Sequence, residues 1–180
     1  MIFLETRLAG AFVIQPERIE DERGFFARTF CQREFEARGL KARLVQCNIS
    51  FNQRAGVVRG MHYQIDPYAE AKLVRCPRGG VYDVIVDLRP RSATCRQWVA
   101  VELTAANGLM LFIPEGFAHG FQTLADDTEV FYQMSEFFHP ECARGVRWND
   151  PALAIRWPLP VRCIAPKDQA YPLLGSAEES

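Results

Sequence analysis

Histidine is scarce in this chain of 180 residues: there are three, His62, His119 and His139. Imidazole-built iron, manganese or zinc centres need three or four converging ligands, so the shortage argues against a resident metal ion. No apolar run approaches the roughly 20 residues of a spanning helix. The start, Met1-Ile2-Phe3-Leu4-Glu5-Thr6-Arg7, lacks a charged region leading into a long apolar stretch. A soluble, cytoplasmic protein with no membrane partner is expected. Neither sign of charge is in surplus, since 21 basic and 22 acidic side chains leave a net charge of −1. A polyanion would find no basic excess to release its counterions, so nucleic acid is not an expected partner. The six cysteines (Cys31, Cys47, Cys76, Cys95, Cys142, Cys163) form no C-x-x-C pair. A chain this long does not depend on disulfides, and reduced thiols are expected.

What is present is apolar material in short runs. With 48% hydrophobic residues there is enough for a single core, and one domain over residues 1–180 is expected, frayed at 175–180. Alternating or β-branched segments recur at Phe12-Val13-Ile14, Leu44-Val45-Gln46, Val57-Val58-Arg59, Lys72 to Arg75, Val81 to Leu88, Trp98 to Leu103, Leu109 to Ile113 and Glu129 to Met134. Turn residues separate them at Asn52 to Gly56, Pro77-Arg78-Gly79-Gly80, Arg89 to Ser92 and Ala106-Asn107-Gly108. The fold class is mainly all-β, a sandwich or barrel. One stretch, Cys31 to Leu40, reads as a surface helix with Thr29 as its cap and Gly39 as its stop. Beyond Cys142, five prolines (Pro151, Pro158, Pro160, Pro166, Pro172) break any long element, and this tail is expected to wrap the barrel rather than extend it.

Two motifs carry chemistry. Gly108 to His119 fits the second cupin motif, G-x5-P-x-G-x2-H, at every fixed position. Pro114 and Gly116 make the turn, and the returning strand starts with a histidine facing inward. Cupins are double-sheet jelly rolls, in agreement with the strand-rich pattern. Upstream, Gly56 to Gln64 resembles the first motif, G-x5-H-x-H, but Gln64 stands where the second histidine belongs, and Glu70 comes later than the motif's glutamate. A neutral amide is a poor substitute for imidazole, so no metal is expected. Freed from a metal, His62 is available for proton chemistry, because an imidazole gains and loses a proton near physiological pH. Taken alone, His62 could equally be a core histidine bonded to a backbone carbonyl.

The order of blocks resolves this. Glu22-Arg23-Gly24-Phe25-Phe26, Gln46-Cys47-Asn48-Ile49-Ser50, Arg59-Gly60-Met61-His62-Tyr63-Gln64, Lys72-Leu73-Val74-Arg75, Val86-Asp87-Leu88-Arg89, Pro114 to Phe121, Trp148-Asn149-Asp150-Pro151 and Pro166-Lys167-Asp168 run in sequence along nearly the whole chain. Together they resemble the dTDP-4-dehydrorhamnose 3,5-epimerases of deoxysugar biosynthesis. The resemblance implies a nucleotide-linked 4-keto-6-deoxyhexose as substrate, with no cofactor. It implies that His62 takes a proton beside the ketone, Asp168 orients the imidazole, Lys72 stabilises the enolate oxygen and Tyr132 returns a proton to the opposite face.

The resemblance also implies substrate contacts from Arg23, Arg59 and Lys167 to the diphosphate, and from Gln46, Asn48, Gln64 and His119 around the sugar. Phe25 and Phe26 are either aromatic walls or ordinary core. A homodimer is implied, its N-terminal region crossing to the partner so that Arg23 completes the neighbouring site. Three positions depart from the family pattern: Arg28 and Ala143 stand where glutamate is common, and Phe138 where tyrosine is common. They concern binding more than proton transfer. Two alternatives stay open: a single-centre epimerase or ketoisomerase acting on another nucleotide 4-keto-sugar, and a non-enzymatic sugar-binding cupin.

Overall fold

The computed structural model describes residues 1–174; the expected fraying at 175–180 lies outside the described residues. Fourteen strands and two short helices follow one another along those residues: β1 Ile2–Glu5, β2 Phe12–Gln15, β3 Arg18–Asp21, β4 Gly24–Ala27, α1 Gln32–Glu36, β5 Gln46–Asn52, β6 Val57–Gln64, β7 Lys72–Arg78, β8 Gly80–Asp87, β9 Trp98–Thr104, β10 Met110–Ile113, β11 Phe117–Thr123, β12 Thr128–Met134, β13 Ala143–Gly145, β14 Cys163–Ile164 and α2 Pro166–Gln169. One sheet runs β1-β2-β10-β7-β12-β5; a second runs β13-β6-β11-β8-β9, with β14 also on β6. The expected double-sheet, mainly β architecture is what the chain adopts.

The core between the sheets follows from alternation. Val74 and Cys76 of β7, Leu111 and Ile113 of β10, Val81 and Ile85 of β8 and Phe117 and Phe121 of β11 all turn inward and are almost fully buried. A second cluster lies outside the first sheet, where Phe35 of α1 is 0% exposed and packs with Ile14, Leu73 and Phe112. Burying such a side chain completely is worth about 1.5–3 kcal/mol, and Phe35, the buried residue of α1, docks the helix with help from the flanking Phe30, Leu40 and Ala42.

Several elements differ from the sequence expectation. The helix is shorter than Cys31 to Leu40, and Thr29 does not cap it: Cys31 occupies the cap position without a side-chain bond. It also ends earlier than expected, at Glu36 with Ala37 as its C-cap; Gly39, at φ +68°, closes the turn that follows, where the Leu40 amide reaches back to the Phe35 carbonyl. Leu44 stands outside β5, which starts at Gln46 and continues to Asn52. Here the usual polarity is inverted, with Gln46, Asn48 and Asn52 turned in and Ile49 and Phe51 exposed, so the strand does not read as half-buried β. The turn read at Pro77 to Gly80 shrinks to Gly79, since β7 runs through Pro77 to Arg78. The tail does more than wrap: β13 and β14 join the second sheet along the outer edge of β6. Elsewhere it lies over that sheet, with Trp98 donating to the Leu153 carbonyl at 2.8 Å.

Candidate active site

The open end of the barrel holds a cavity of about 860 Å³, a size suited to a small-molecule ligand. Its chemistry starts from a bulge in β6. His62 pairs with His119 and Arg59 pairs with Phe121, so β6 carries one residue more than β11 between these pairs. Strict alternation would send Arg59 and His62 to opposite faces; the extra residue lets both line the cavity. Gly60 makes this possible. It takes φ +126°, and a Cβ there would lie 2.5 Å from the Gly120 Cα.

The outer edge of β6 is shared. β14 pairs with Val57 and Val58, and β13 pairs with His62, Tyr63 and Gln64. In the interval, the Gly60 amide donates to Asp168 Oδ2 at 3.0 Å, while Asp168 Oδ1 lies 2.7 Å from His62 Nε2. The carboxylate is buried and the imidazole is 43% exposed toward the cavity. Burial pushes the Asp168 carboxyl up, but the hydrogen bond and charge of His62, the Gly60 amide and Lys167 bring it below its ordinary value. A carboxylate on Nε2 leaves Nδ1 of the same ring for a ligand, the arrangement of an oriented base.

Lys72, on the inward face of β7, donates to the His62 carbonyl at 3.2 Å and pairs with Glu70 at 2.9 Å. Tyr132 on β12 also lines the cavity; burial raises its hydroxyl above the ordinary phenol value, with the Arg59 charge opposing. Arg59 is braced by Asn52, whose Oδ1 accepts from Nε at 2.8 Å. His119 is buried against Asp83, its Nε2 2.9 Å from Oδ2. Gln46, Asn48 and Lys167 line the same space.

Gln64 lines it as well, but its amide is committed to the backbone: it donates to the carbonyls of Tyr68 and Phe137 and accepts from the His139 amide at 2.6 Å. At the position of the second motif histidine, then, stands a side chain that braces two loops. Among the described residues no three His, Cys, Asp or Glu side chains gather as a metal ion would require.

Arg23 and Phe26 are not brought to this cavity within the chain. Both sit on the β3–β4 hairpin, Arg23 paired with Asp21 and Phe26 70% exposed. Phe25 is exposed too, under the Arg18 guanidinium, so neither ring is core. Of the departures, Arg28 is neutralised by Glu34 at 3.1 Å, away from the cavity, while Phe138 and Ala143 line it. Sequence reasoning passed over Asn52, Asp83 and Tyr171, whose ring meets His62 edge-on at 5.8 Å. Asp83 had a signal: a carboxylate inside the apolar run Val81 to Val86 must be paired to be buried. Tyr171 had none.

Comparison with known proteins bears on the family and the fold. A family model described as dTDP-4-dehydrorhamnose 3,5-epimerase matches residues 5–176. The chain is 41% identical over 175 residues to the dTDP-4-dehydrorhamnose 3,5-epimerase of Sinorhizobium fredii, spanning 97% of this chain and 90% of that one. The crystal structure of the Bacillus anthracis dTDP-4-dehydrorhamnose 3,5-epimerase with TDP and PPi bound superposes with a TM-score of 0.93 at 40% identity, covering 96% of this chain and 99% of that chain. The Legionella pneumophila dTDP-6-deoxy-D-glucose-3,5-epimerase in complex with dTDP-4-keto-L-rhamnose gives a TM-score of 0.90 at 40% identity, over 97% of this chain and 93% of that chain.

Proposed function

The chain belongs to the dTDP-4-dehydrorhamnose 3,5-epimerase family, and from that premise we propose how its cavity performs the reaction. The protein is an isomerase, an epimerase of a nucleotide-linked 4-keto-6-deoxyhexose. The ketone acidifies the hydrogens on the two neighbouring carbons, C3 and C5. His62 removes one through Nδ1, and Asp168 stabilises the imidazolium that forms. Charge moves to the ketone oxygen, where the Lys72 ammonium receives it. Tyr132, held protonated by burial, returns a proton to the opposite face and inverts the carbon.

Around this centre, Arg59 and Lys167 bind the diphosphate, and Gln46, Asn48 and His119 surround the sugar. The single observation that carries the reading is the buried carboxylate of Asp168 on His62 at the cavity wall.

The site is completed in a homodimer. The exposed hairpin with Arg23, Phe25 and Phe26, together with the exposed Ile49 and Phe51 of β5, supplies apolar surface for a second copy. In that assembly Arg23 and Phe26 reach the partner's nucleotide. No helix among the described residues is long and apolar enough to cross a membrane, and six free thiols suit a reducing cytoplasm.

The test is incubation with dTDP-4-keto-6-deoxyglucose in deuterated buffer, followed by proton NMR. Deuterium at both C3 and C5 with an inverted product is the expected result. Incorporation at C3 alone would replace the double epimerase with a 3-epimerase, a ketone relocated to C3 would indicate an isomerase, and tight binding without exchange would leave a binding protein.

A further inference from the structure

Glu70 takes no part in the scheme above, yet it is one of the most enclosed charges at the cavity. It lies two residues before Lys72, just ahead of β7, with its side chain turned to the same side as the lysine's. Its side chain is 3% exposed and lies 2.9 Å from the Lys72 ammonium, itself 9% exposed. The other carboxylate oxygen, Oε2, is buried without a hydrogen-bond partner. A half-satisfied buried carboxylate is harder to accommodate than a neutral or apolar side chain of similar size. Stability alone does not account for it.

The geometry of Lys72 does. An ammonium group has three N–H donors on a flexible four-carbon stem. One meets Glu70 Oε1 and a second meets the His62 carbonyl at 3.2 Å. The third remains for the cavity that Lys72 lines. We infer that Glu70 is a positioning residue for the epimerisation: with the His62 carbonyl it fixes two donors of Lys72, so that the third faces the ketone oxygen as the enolate charge develops. The inference rests on the epimerase reading. Without Glu70 the ammonium has one anchor and must be ordered anew in each turnover, a loss felt in the transition state more than in nucleotide binding. Around the cavity that Lys72 lines, the cations Arg59, Arg144 and Lys167 cannot anchor an ammonium, while His62 is partnered by Asp168 of α2 and His119, from β11, by Asp83 of β8 behind it. Of the two carboxylates among them, Asp168 is engaged by His62 and Asp83 by His119, so neither substitutes for Glu70.

The experiment compares wild type, Glu70→Gln, Lys72→Met and the double variant on dTDP-4-keto-6-deoxyglucose, with dTDP affinity measured by calorimetry. Glu70→Gln keeps the volume and one acceptor oxygen but removes the charge. Its kcat should fall on the order of 10–100-fold while KM and the dTDP Kd stay unchanged. In the Lys72→Met background the same substitution should cause no further loss of deuterium incorporation, because Glu70 acts through Lys72. Unchanged kcat, a loss confined to KM, a weakened dTDP Kd, or an equal loss in the Lys72→Met background would each overturn the assignment. If Glu70→Gln shows no cooperative melt, Glu70→Asp is judged by the same criteria. A wild type inert on the sugar nucleotide would remove the epimerase reading and this inference together; an active wild type with an equally active Glu70→Gln removes the inference alone.

Discussion

Asp168 stands 106 residues beyond His62 in the chain, yet its two oxygens take the His62 ring at 2.7 Å and the Gly60 amide at 3.0 Å. One carboxylate thereby closes the break in the β6 edge and orients the imidazole on the same strand. Asp168→Asn should preserve the fold and lower kcat on the order of 10²–10⁴-fold, because an amide can donate to Nε2 and leave the proton on the wrong nitrogen. Steady-state kinetics with a melting control checks this; a variant within a few-fold of wild type would detach Asp168 from the chemistry.

The same pair has a pH signature. Burial opposes ionisation of Asp168, but its bonds to His62 and Gly60 prevail, and the folded-state value is depressed. A depressed carboxyl stabilises the fold above its unfolded value, and that contribution is lost as pH falls through the folded one. The melting temperature of wild type should therefore fall below about pH 4, and that of Asp168→Asn should fall less steeply over the same range. Parallel curves would contradict the linkage.

Tyr132→Phe separates proton removal from proton return. His62 and Asp168 remain, so deuterium should still enter the starting sugar with its configuration retained, while inverted product falls on the order of 10²–10⁴-fold. Site-resolved NMR distinguishes the two. Product formation at the wild-type rate would assign the acid elsewhere.

Gly60 is a packing prediction. A methyl group there meets the Gly120 Cα at 2.5 Å and the His119 carbonyl at 2.9 Å, on a backbone with φ +126° that side chains avoid. Gly60→Ala should cost roughly 1–3 kcal/mol or more in denaturant unfolding and also reduce kcat, since the bulge sets the direction of His62. A variant of wild-type stability and activity would mean that this crossing is not tight.

How much of this was legible beforehand depends on where each signal lay. His62, Asp168, Lys72 and Tyr132 could be singled out because they keep family spacing, and the structure brings all four side chains to one cavity. Periodicity recovered β7, β8, β9, β10 and β12, whose apolar faces point inward. It missed the extent of β5 because pocket-lining strands turn polar residues in and leave Ile49 and Phe51 outside. The Arg59–His62 juxtaposition was hidden for a related reason: a bulge changes the phase of alternation, and no composition marks it apart from glycine. The Glu70–Lys72 pair was within reach at two residues' separation, but Glu70 was weighed only as a metal ligand.

Removal of metal ions is a sharp test of the site's economy. The amide of Gln64 is spent on three backbone groups where a motif histidine would face a metal. Dialysis against a strong chelator should leave turnover unchanged, and elemental analysis should find no stoichiometric iron, manganese or zinc. Loss of rate restored by one of these ions would require a different enolate stabiliser from Lys72.

The proposed dimer can be tested without a structure of it. Arg23 is exposed on a hairpin that contributes nothing to its own chain's cavity, so if it binds nucleotide it must do so in the neighbour. Arg23→Ala and His62→Ala homodimers should each be impaired, the first through KM and the second through kcat. When the two are unfolded together and refolded as a mixture, hybrid dimers arise in which the Arg23→Ala chain keeps its own His62 and receives Arg23 from its partner. One site per hybrid is then whole, and activity should rise above that of either parent at low substrate concentration. If Arg23 served its own chain, no hybrid would hold an intact site and mixing would restore nothing. Sedimentation of wild type and Phe26→Asp supplies the companion measurement, because in the proposed dimer a charge at the hairpin contact should shift the protein toward monomer and raise KM together.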